Sequence, residues 1–108
     1  MATNVFKNSG VAVLATSTDL YTCPVSTAAV IHALYLSNID GINPANVTIK
    51  VYDSSVTTEY TVGLNLPVPA QSTLVLDKPI NLEDGDIIRI TASVAGDIEA
   101  FASILEIS

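Results

Sequence analysis

The sequence has few of the residues from which active sites are usually built. Its 108 residues include one cysteine, one histidine and no tryptophan. A single cysteine excludes an internal disulfide and a zinc site built on cysteines. Glycine-rich phosphate loops, serine nucleophile elbows and zinc-protease motifs are also missing from the sequence. We therefore expect a protein that is not an enzyme and that holds no cofactor or metal.

Positive charge is also scarce. Four Lys and Arg stand against eleven Asp and Glu, which gives a net charge of −7, and the four cations are scattered along the chain. Binding to a phosphate backbone needs a cluster of basic side chains, so we expect no direct contact with nucleic acid. No apolar run is long enough to span a bilayer, and the N-terminus lacks a signal-peptide pattern. We expect neither membrane insertion nor export through a signal peptide.

Apolar and β-branched residues are plentiful instead. Hydrophobic residues make up 49% of the chain and charged residues only 14%, against about 25% charged in an ordinary domain. Val, Ile and Thr are abundant, and this composition favours strands over helices. The surplus apolar surface is best covered by another copy or another protein. The composition therefore indicates an all-β subunit of an assembly.

Turn-forming residues divide the chain into about eight short segments. The clearest of these is the alternation of Val47, Ile49 and Val51 with polar residues, which is typical of a strand with one buried face. Strands at this spacing predict a single β-sandwich of antiparallel strands, either jelly-roll or immunoglobulin-like. We expect residues 1–10 to form an N-terminal arm and residues 11–108 to form the sandwich. The proline-containing stretch Gly63–Gln71 is expected to cross over the end of the domain.

Two segments, Ala28–Ile39 and Ile98–Ile107, are apolar at successive positions and therefore predict strands covered on both faces. In the first of them, strict alternation places Ile31, Ala33 and Tyr35 on one face and Val30, Leu34 and Leu36 on the other. We expect these strands and the arm to supply the contacts of a homo-oligomer. The candidate interface residues are Val5, Phe6, Ile31, His32, Tyr35, Phe101 and Leu105.

The remaining candidate sites have ordinary structural explanations. Glu83, Asp84 and Asp86 offer oxygen ligands for calcium, but their spacing misses the calcium-loop pattern, and an acidic turn at Gly85 explains them. Cys23 has no cation near it in the sequence and is expected to be a small buried hydrophobic residue. Tyr52 is the best candidate for stacking against a sugar, although a structural role for it is favoured.

Three stretches resemble known proteins: LYTCPVSTAAVIHALYLSNID, NVTIKVYD and the tail from Pro67 to Ile107 with its L-x-x-G-D-x-I pattern. They are similar to small all-β virion proteins of tailed bacteriophages, including phages of cyanobacteria and marine bacteria. This resemblance implies a capsid decoration, or cement, protein that binds the major capsid protein or another virion protein. It also implies a homo-oligomer, with a trimer as the first expectation, and a virion location after assembly in the host cytoplasm. A neck, tail or fibre component and a glycan-binding adhesin module are the alternatives.

Overall fold

The computed structural model describes residues 3–108, which form nine β-strands in two antiparallel sheets. The strands are β1 (Asn4–Ala12), β2 (Thr18–Thr22), β3 (Ala28–Asn38), β4 (Ala45–Asp53), β5 (Thr58–Val68), β6 (Thr73–Leu76), β7 (Ile80–Leu82), β8 (Ile87–Ala92) and β9 (Ile98–Ile107). This part of the chain contains no helix, and hence none long and apolar enough to cross a membrane. The prediction of an antiparallel all-β sandwich is confirmed.

The strand pairs are nested along the chain. β4 pairs with β5, β3 with β6 and β7, β2 with β8, and β1 with β9. The five-stranded sheet has the order β1-β9-β3-β6, with β7 also on β3, and the four-stranded sheet has the order β2-β8-β4-β5. β6 and β7 act as two halves of one strand that is interrupted at residues 77–79, which include Pro79. This nesting is that of a jelly roll, one of the two architectures expected from the sequence.

The core lies between the two sheets and is built from alternate residues of each strand. β9 shows this most clearly, because Ile98, Ala100, Ala102 and Ile104 are at most 2% exposed while the residues between them point outward. Ile88 and Ile90 of β8 meet them from the opposite sheet, and both are fully buried. Inward and outward residues therefore alternate along β9 without interruption, as expected for a strand with one face in the core.

The alternation expected for β3 holds from Ala33 to Leu36 but is wrong for Val30 and Ile31, because a β-bulge lies at His32. Ile31 pairs with Ile104 and Ala33 with Ser103, which leaves His32 as one extra residue without a partner on β9. A bulge shifts the side-chain phase by one position. Ile31 consequently faces the core with Leu34, and both are at most 1% exposed.

The expected N-terminal arm needs a similar correction. Residues 4–10 belong to β1, which pairs with β9 along its whole length without a register shift. Polar residues suggested an arm, but a strand at the edge of a sheet is half in contact with solvent and accommodates them. Met1 and Ala2, the first two residues of the expected arm, lie outside the described residues.

The expected crossover at Gly63–Gln71 is largely strand as well, because β5 continues to Val68. β5 lies at the edge of the four-stranded sheet, where Pro67 needs no second hydrogen-bonded neighbour. Two register shifts and a positive φ of 50° at Asn65 bend this strand on the way. The Asn65 amide donates to the Thr48 hydroxyl at 3.1 Å instead of continuing the ladder.

Candidate interaction surface

The outward face of the five-stranded sheet collects apolar side chains from four of its strands, β1, β3, β6 and β9. Register places Phe101 of β9 beside Tyr35 of β3, and Tyr35 beside Val75 of β6. A second row joins Phe6 of β1 to Leu105 of β9. We call this surface the apolar face and define it by Phe6, Val30, His32, Tyr35, Val75, Phe101 and Leu105.

Several of these side chains are exposed to a degree that folding alone does not require. Phe6 is 80% exposed, Phe101 and Val75 are each 44% exposed, and Tyr35 is 37% exposed. The rings of Phe6 and His32 lie 6.4 Å apart across β9, so the patch is continuous between β1 and β3. Exposed apolar patches of this kind mark surfaces that bind other molecules.

The outward face of the four-stranded sheet is chemically different. Arg89 of β8 lies 3.1 Å from Asp19 of β2 and 3.2 Å from Glu59 of β5. Lys50 of β4 lies 3.6 Å from the same Glu59, and the Arg89 guanidinium sits 4.9 Å above the ring of Tyr52. Surface ion pairs of this type are compatible with full hydration. This face therefore carries a network of paired charges around Arg89, while the exposed apolar residues of the four-stranded sheet, Tyr60, Val62 and Leu64, lie on its edge strand β5.

The structure brings most of the candidate interface residues together. Five of them lie on the apolar face: Phe6, His32, Tyr35, Phe101 and Leu105. Ile31 does not, because the bulge turns it into the core, where it is 1% exposed. Val5 shares the inward phase of β1, opposite Glu106, although its side chain is 41% exposed at the sheet edge. That this face forms an interface stays a prediction.

A buried polar cluster at one end of the sandwich had no signal in the sequence. The Tyr21 hydroxyl donates to Glu106 Oε2 at 2.5 Å, and Lys7 Nζ lies 3.5 Å from Glu106 Oε1. Glu106 is 9% exposed and occupies an inward position of β9. Burial and the hydrogen bond to Glu106 raise the pKa of the Tyr21 hydroxyl well above its ordinary value. The cluster ties together strands of both sheets.

The acidic residues around Gly85 are held by turn contacts. Asp86 is buried and accepts hydrogen bonds from the amide and hydroxyl of Ser54, at 2.9 and 3.0 Å, and from the amide of Glu83 at 2.8 Å. Carboxylate oxygens of Asp53, Glu83 and Asp86 lie within 4.8 Å of one another. Asp86 thereby fastens two turns to each other, which gives its buried carboxylate a structural role.

Two further sequence expectations concern single residues. Cys23 is 1% exposed, its thiol donates to the carbonyl of Thr27 at 3.2 Å, and burial raises its pKa. The expectation that Cys23 is a small buried residue is confirmed. Tyr52 lies on the polar outward face with one side of its ring beneath Arg89. That ring face is occupied and does not offer a platform for a sugar.

The chain shares its fold with several solved structures. No known protein family model and no curated protein matches the chain. In structure it is similar to a chain of the disulfide-linked pili that form Bacillus endospore appendages, with 20% identity, a TM-score of 0.58, and coverage of 97% of this chain and 86% of that one. It is also similar to a chain of the capsid of Helicobacter pylori bacteriophage KHP30, with 12% identity, a TM-score of 0.56, and coverage of 100% and 94%.

A third structure of this kind belongs to infectious bursal disease virus, Gx strain. The identity is 10%, the TM-score is 0.57, and the match covers 99% of this chain and 33% of the viral chain. This chain therefore spans about a third of that protein. At these identities the comparisons define a shared jelly-roll sandwich and nothing beyond the fold.

Proposed function

We propose that this chain is a structural subunit of a bacteriophage virion, and specifically a capsid decoration protein on the outer surface of the head. The observation that carries the proposal is the contrast between the apolar face and the charged outward face of the other sheet. A β-sandwich that binds no partner needs apolar residues only at its inward positions. Exposed Phe6, Tyr35, Val75 and Phe101 are best explained by a partner that covers them.

The activity proposed for this surface is stabilisation through contact, without catalysis. A subunit that binds only the assembled shell lowers the free energy of the shell by mass action, by about 2.7 kcal/mol at a free concentration one hundred times its Kd. Each fully buried Phe or Leu side chain contributes on the order of 1.5–3 kcal/mol to such a contact. The partners are the major capsid protein or another virion protein, and further copies of this chain. The location is the virion, assembled in the host cytoplasm, and the trimer stays an expectation from the resemblance alone.

The similarity to capsid and pilus chains supports a role in an assembly, and the sequence resemblance to phage virion proteins favours the capsid. A fibre held together by disulfides between copies is disfavoured, because Cys23, the only cysteine among residues 3–108, is buried. A glycan-binding adhesin is disfavoured because the ring of Tyr52 lies beneath Arg89. A neck, tail or fibre position uses the same contact surface and is the alternative that the experiment below distinguishes.

The test uses phage particles that lack this protein and measures how much added chain they bind and the temperature at which they release DNA. Val75→Glu places a charge at an exposed strand position of the apolar face. Thr61→Glu is the matched control, since it adds the same charge at an exposed position of β5 beside Lys50 on the polar face. We expect intact chain and the Thr61 variant to bind heads and raise the release temperature, and the Val75 variant to bind at least tenfold more weakly.

Three results would contradict the proposal. Heads that fail to bind the intact chain would move it to the neck, tail or fibre, where labelling of whole particles would locate it. Full binding without any rise in the DNA release temperature would remove the stabilising role. Equal loss of binding in both variants would show that charge in general, and not the apolar face, controls attachment.

A further inference from the structure

The outer edge of β1 is a row of unpaired backbone groups. At the two ends of the β1–β9 ladder, Thr3 and Ser108 exchange both backbone hydrogen bonds, and Val13 donates to the carbonyl of Ile98 at 2.8 Å. Because the β1–β9 register is regular between these ends, the backbone N–H and C=O groups of the odd-numbered residues of β1 point towards β9. In an antiparallel pair the alternate residues point their N–H and C=O groups the other way. No turn, loop or side-chain contact among residues 3–108 uses the backbone groups of Asn4, Phe6, Asn8 and Gly10.

The other sheet edges carry features that block pairing with another chain. β2 has five residues and a register shift, and β5 contains Pro67 and two register shifts. β6 and β7 have four and three residues and are separated before Pro79. Short strands, bulges and prolines are the usual protections of an edge. β1 has nine residues, pairs in one register and contains no proline, and its one inward charge, Lys7, lies 3.5 Å from Glu106, so β1 is the least protected edge of the described fold.

Charge also makes β1 suited to a second copy of this chain. The net charge is −7, so most surfaces of two copies repel each other. β1 contains no Asp or Glu, and its one charged residue, Lys7, is already 3.5 Å from Glu106. Two copies that meet along β1 therefore bring no carboxylates of this strand together.

We propose that two copies pair β1 to β1 in antiparallel orientation around a two-fold axis at Asn8, which joins the two five-stranded sheets into one. In this register Phe6 of one copy faces Gly10 of the other, and Lys7 faces Ser9 and not the second Lys7. Gly10 lies under the ring of Phe101, which an added Cβ would meet at 3.2 Å, so Phe6 extends an aromatic row that already exists. The two apolar faces then become one continuous surface.

This inference deepens the homo-oligomer in the proposed function and rests on that part of it. It predicts a dimer for the isolated chain, in place of the trimer that the resemblance implies. Its tests use the isolated protein and no phage particles. If β1 does not pair with β1, the proposed binding to phage particles is unaffected and is decided by the particle experiment alone.

Cysteine cross-linking tests the register. Directly opposed residues of a hydrogen-bonded antiparallel pair have Cα atoms about 5.5 Å apart, within the range that a disulfide spans. Asn8→Cys is expected to form a covalent dimer under mild oxidation, because Asn8 faces itself across the two-fold axis. Phe6→Cys is not expected to do so, because Phe6 faces Gly10 of the other copy. The native Cys23 is buried and does not contribute. Cross-linking through Phe6→Cys and not Asn8→Cys would overturn the proposed register.

A proline substitution and amide hydrogen exchange test the pairing itself. Asn8→Pro removes an amide that points away from β9, so the sheet keeps its internal hydrogen bonds, while Asn8→Ala keeps that amide. Sedimentation equilibrium is expected to give a dimer for the intact chain and Asn8→Ala, and at least a tenfold higher dissociation constant for Asn8→Pro. The amides of Phe6 and Asn8 are expected to exchange more slowly as the protein concentration rises, because they become hydrogen-bonded in the dimer. The amides of Val5 and Lys7 point towards β9 and are expected to exchange slowly at every concentration. A monomer at all concentrations, or a dimer unaffected by Asn8→Pro, would overturn the pairing.

Discussion

Replacement of Tyr21 by Phe tests the buried polar cluster at the end of the sandwich. The substitution keeps the ring in place and removes only the hydroxyl that donates to Glu106 at 2.5 Å. Glu106 then keeps Lys7 at 3.5 Å as its charged neighbour, but it loses the donor that reaches it from the opposite sheet. Because Glu106 is 9% exposed, water replaces that donor poorly.

The expected magnitude follows from the kind of hydrogen bond. A hydrogen bond to a charged group contributes roughly 1.5–3 kcal/mol to stability. We expect Tyr21→Phe to lower the free energy of unfolding by about 2 kcal/mol near neutral pH. For a domain of this size that corresponds to a fall in Tm of roughly 8 °C.

The same variant has a distinct pH dependence. Burial, then the contact with Glu106, raises the pKa of Tyr21 above the ordinary value of about 10. Above that pH the unfolded chain loses the Tyr21 proton while the folded chain keeps it. The stabilisation is therefore complete below about pH 10 and is lost as the pH rises towards the folded pKa. The stability difference between intact protein and Tyr21→Phe should shrink over this range.

Urea unfolding followed by circular dichroism at pH 7 and at pH values above 10 measures both effects. Tyr60→Phe is the matched control, because Tyr60 is 56% exposed on the edge strand β5 and the same atoms are removed. We expect the control to change the unfolding free energy by less than about 0.5 kcal/mol. Equal effects of the two substitutions, or a Tyr21→Phe difference that does not shrink at alkaline pH, would refute the account of the cluster.

Two further predictions concern a turn and the bulge. Asp86→Ala removes the acceptor that fastens Ser54 to the neighbouring turn, and we expect a loss of about 2 kcal/mol in urea unfolding. Asp84→Ala, whose carboxylate accepts an exposed amide, should cost much less. Deletion of His32 leaves every other β3 side chain on its present face and should give a folded protein by circular dichroism. Deletion of Leu34 also closes the bulge, but it puts Ala33 in the inward position of Leu34, so we expect it to cost about 2–5 kcal/mol in urea unfolding.

The sequence was sufficient for the class of fold because inward residues repeat at every second position. Ile98, Ala100, Ala102 and Ile104 of β9 follow that rule without interruption, and they are buried as expected. The turn residues between strands fixed the approximate segment boundaries. The order of the strands in the sheets depends on pairings between distant segments, such as β1 with β9, and no local pattern encodes it.

The errors have physical causes that local patterns do not show. A bulge at His32 changes the phase within one strand, so strict alternation assigned Ile31 to the wrong face. Edge strands accept polar residues and proline, and for that reason β1 was interpreted as an arm and part of β5 as a crossover. The contact of Tyr21 with Glu106 joins residues 85 positions apart, so it could be found only from the fold.

The exposed residues carry information that the buried ones do not. The core requires apolar side chains only at inward positions, and the four-stranded sheet shows that the outward positions of this sandwich can be filled by Lys50, Glu59 and Arg89. The fold therefore gives no reason for Phe6 to be aromatic and 80% exposed at the outward side of β1. Its position beside the unpaired edge and at the border of the apolar face suits a residue whose contacts lie in another molecule.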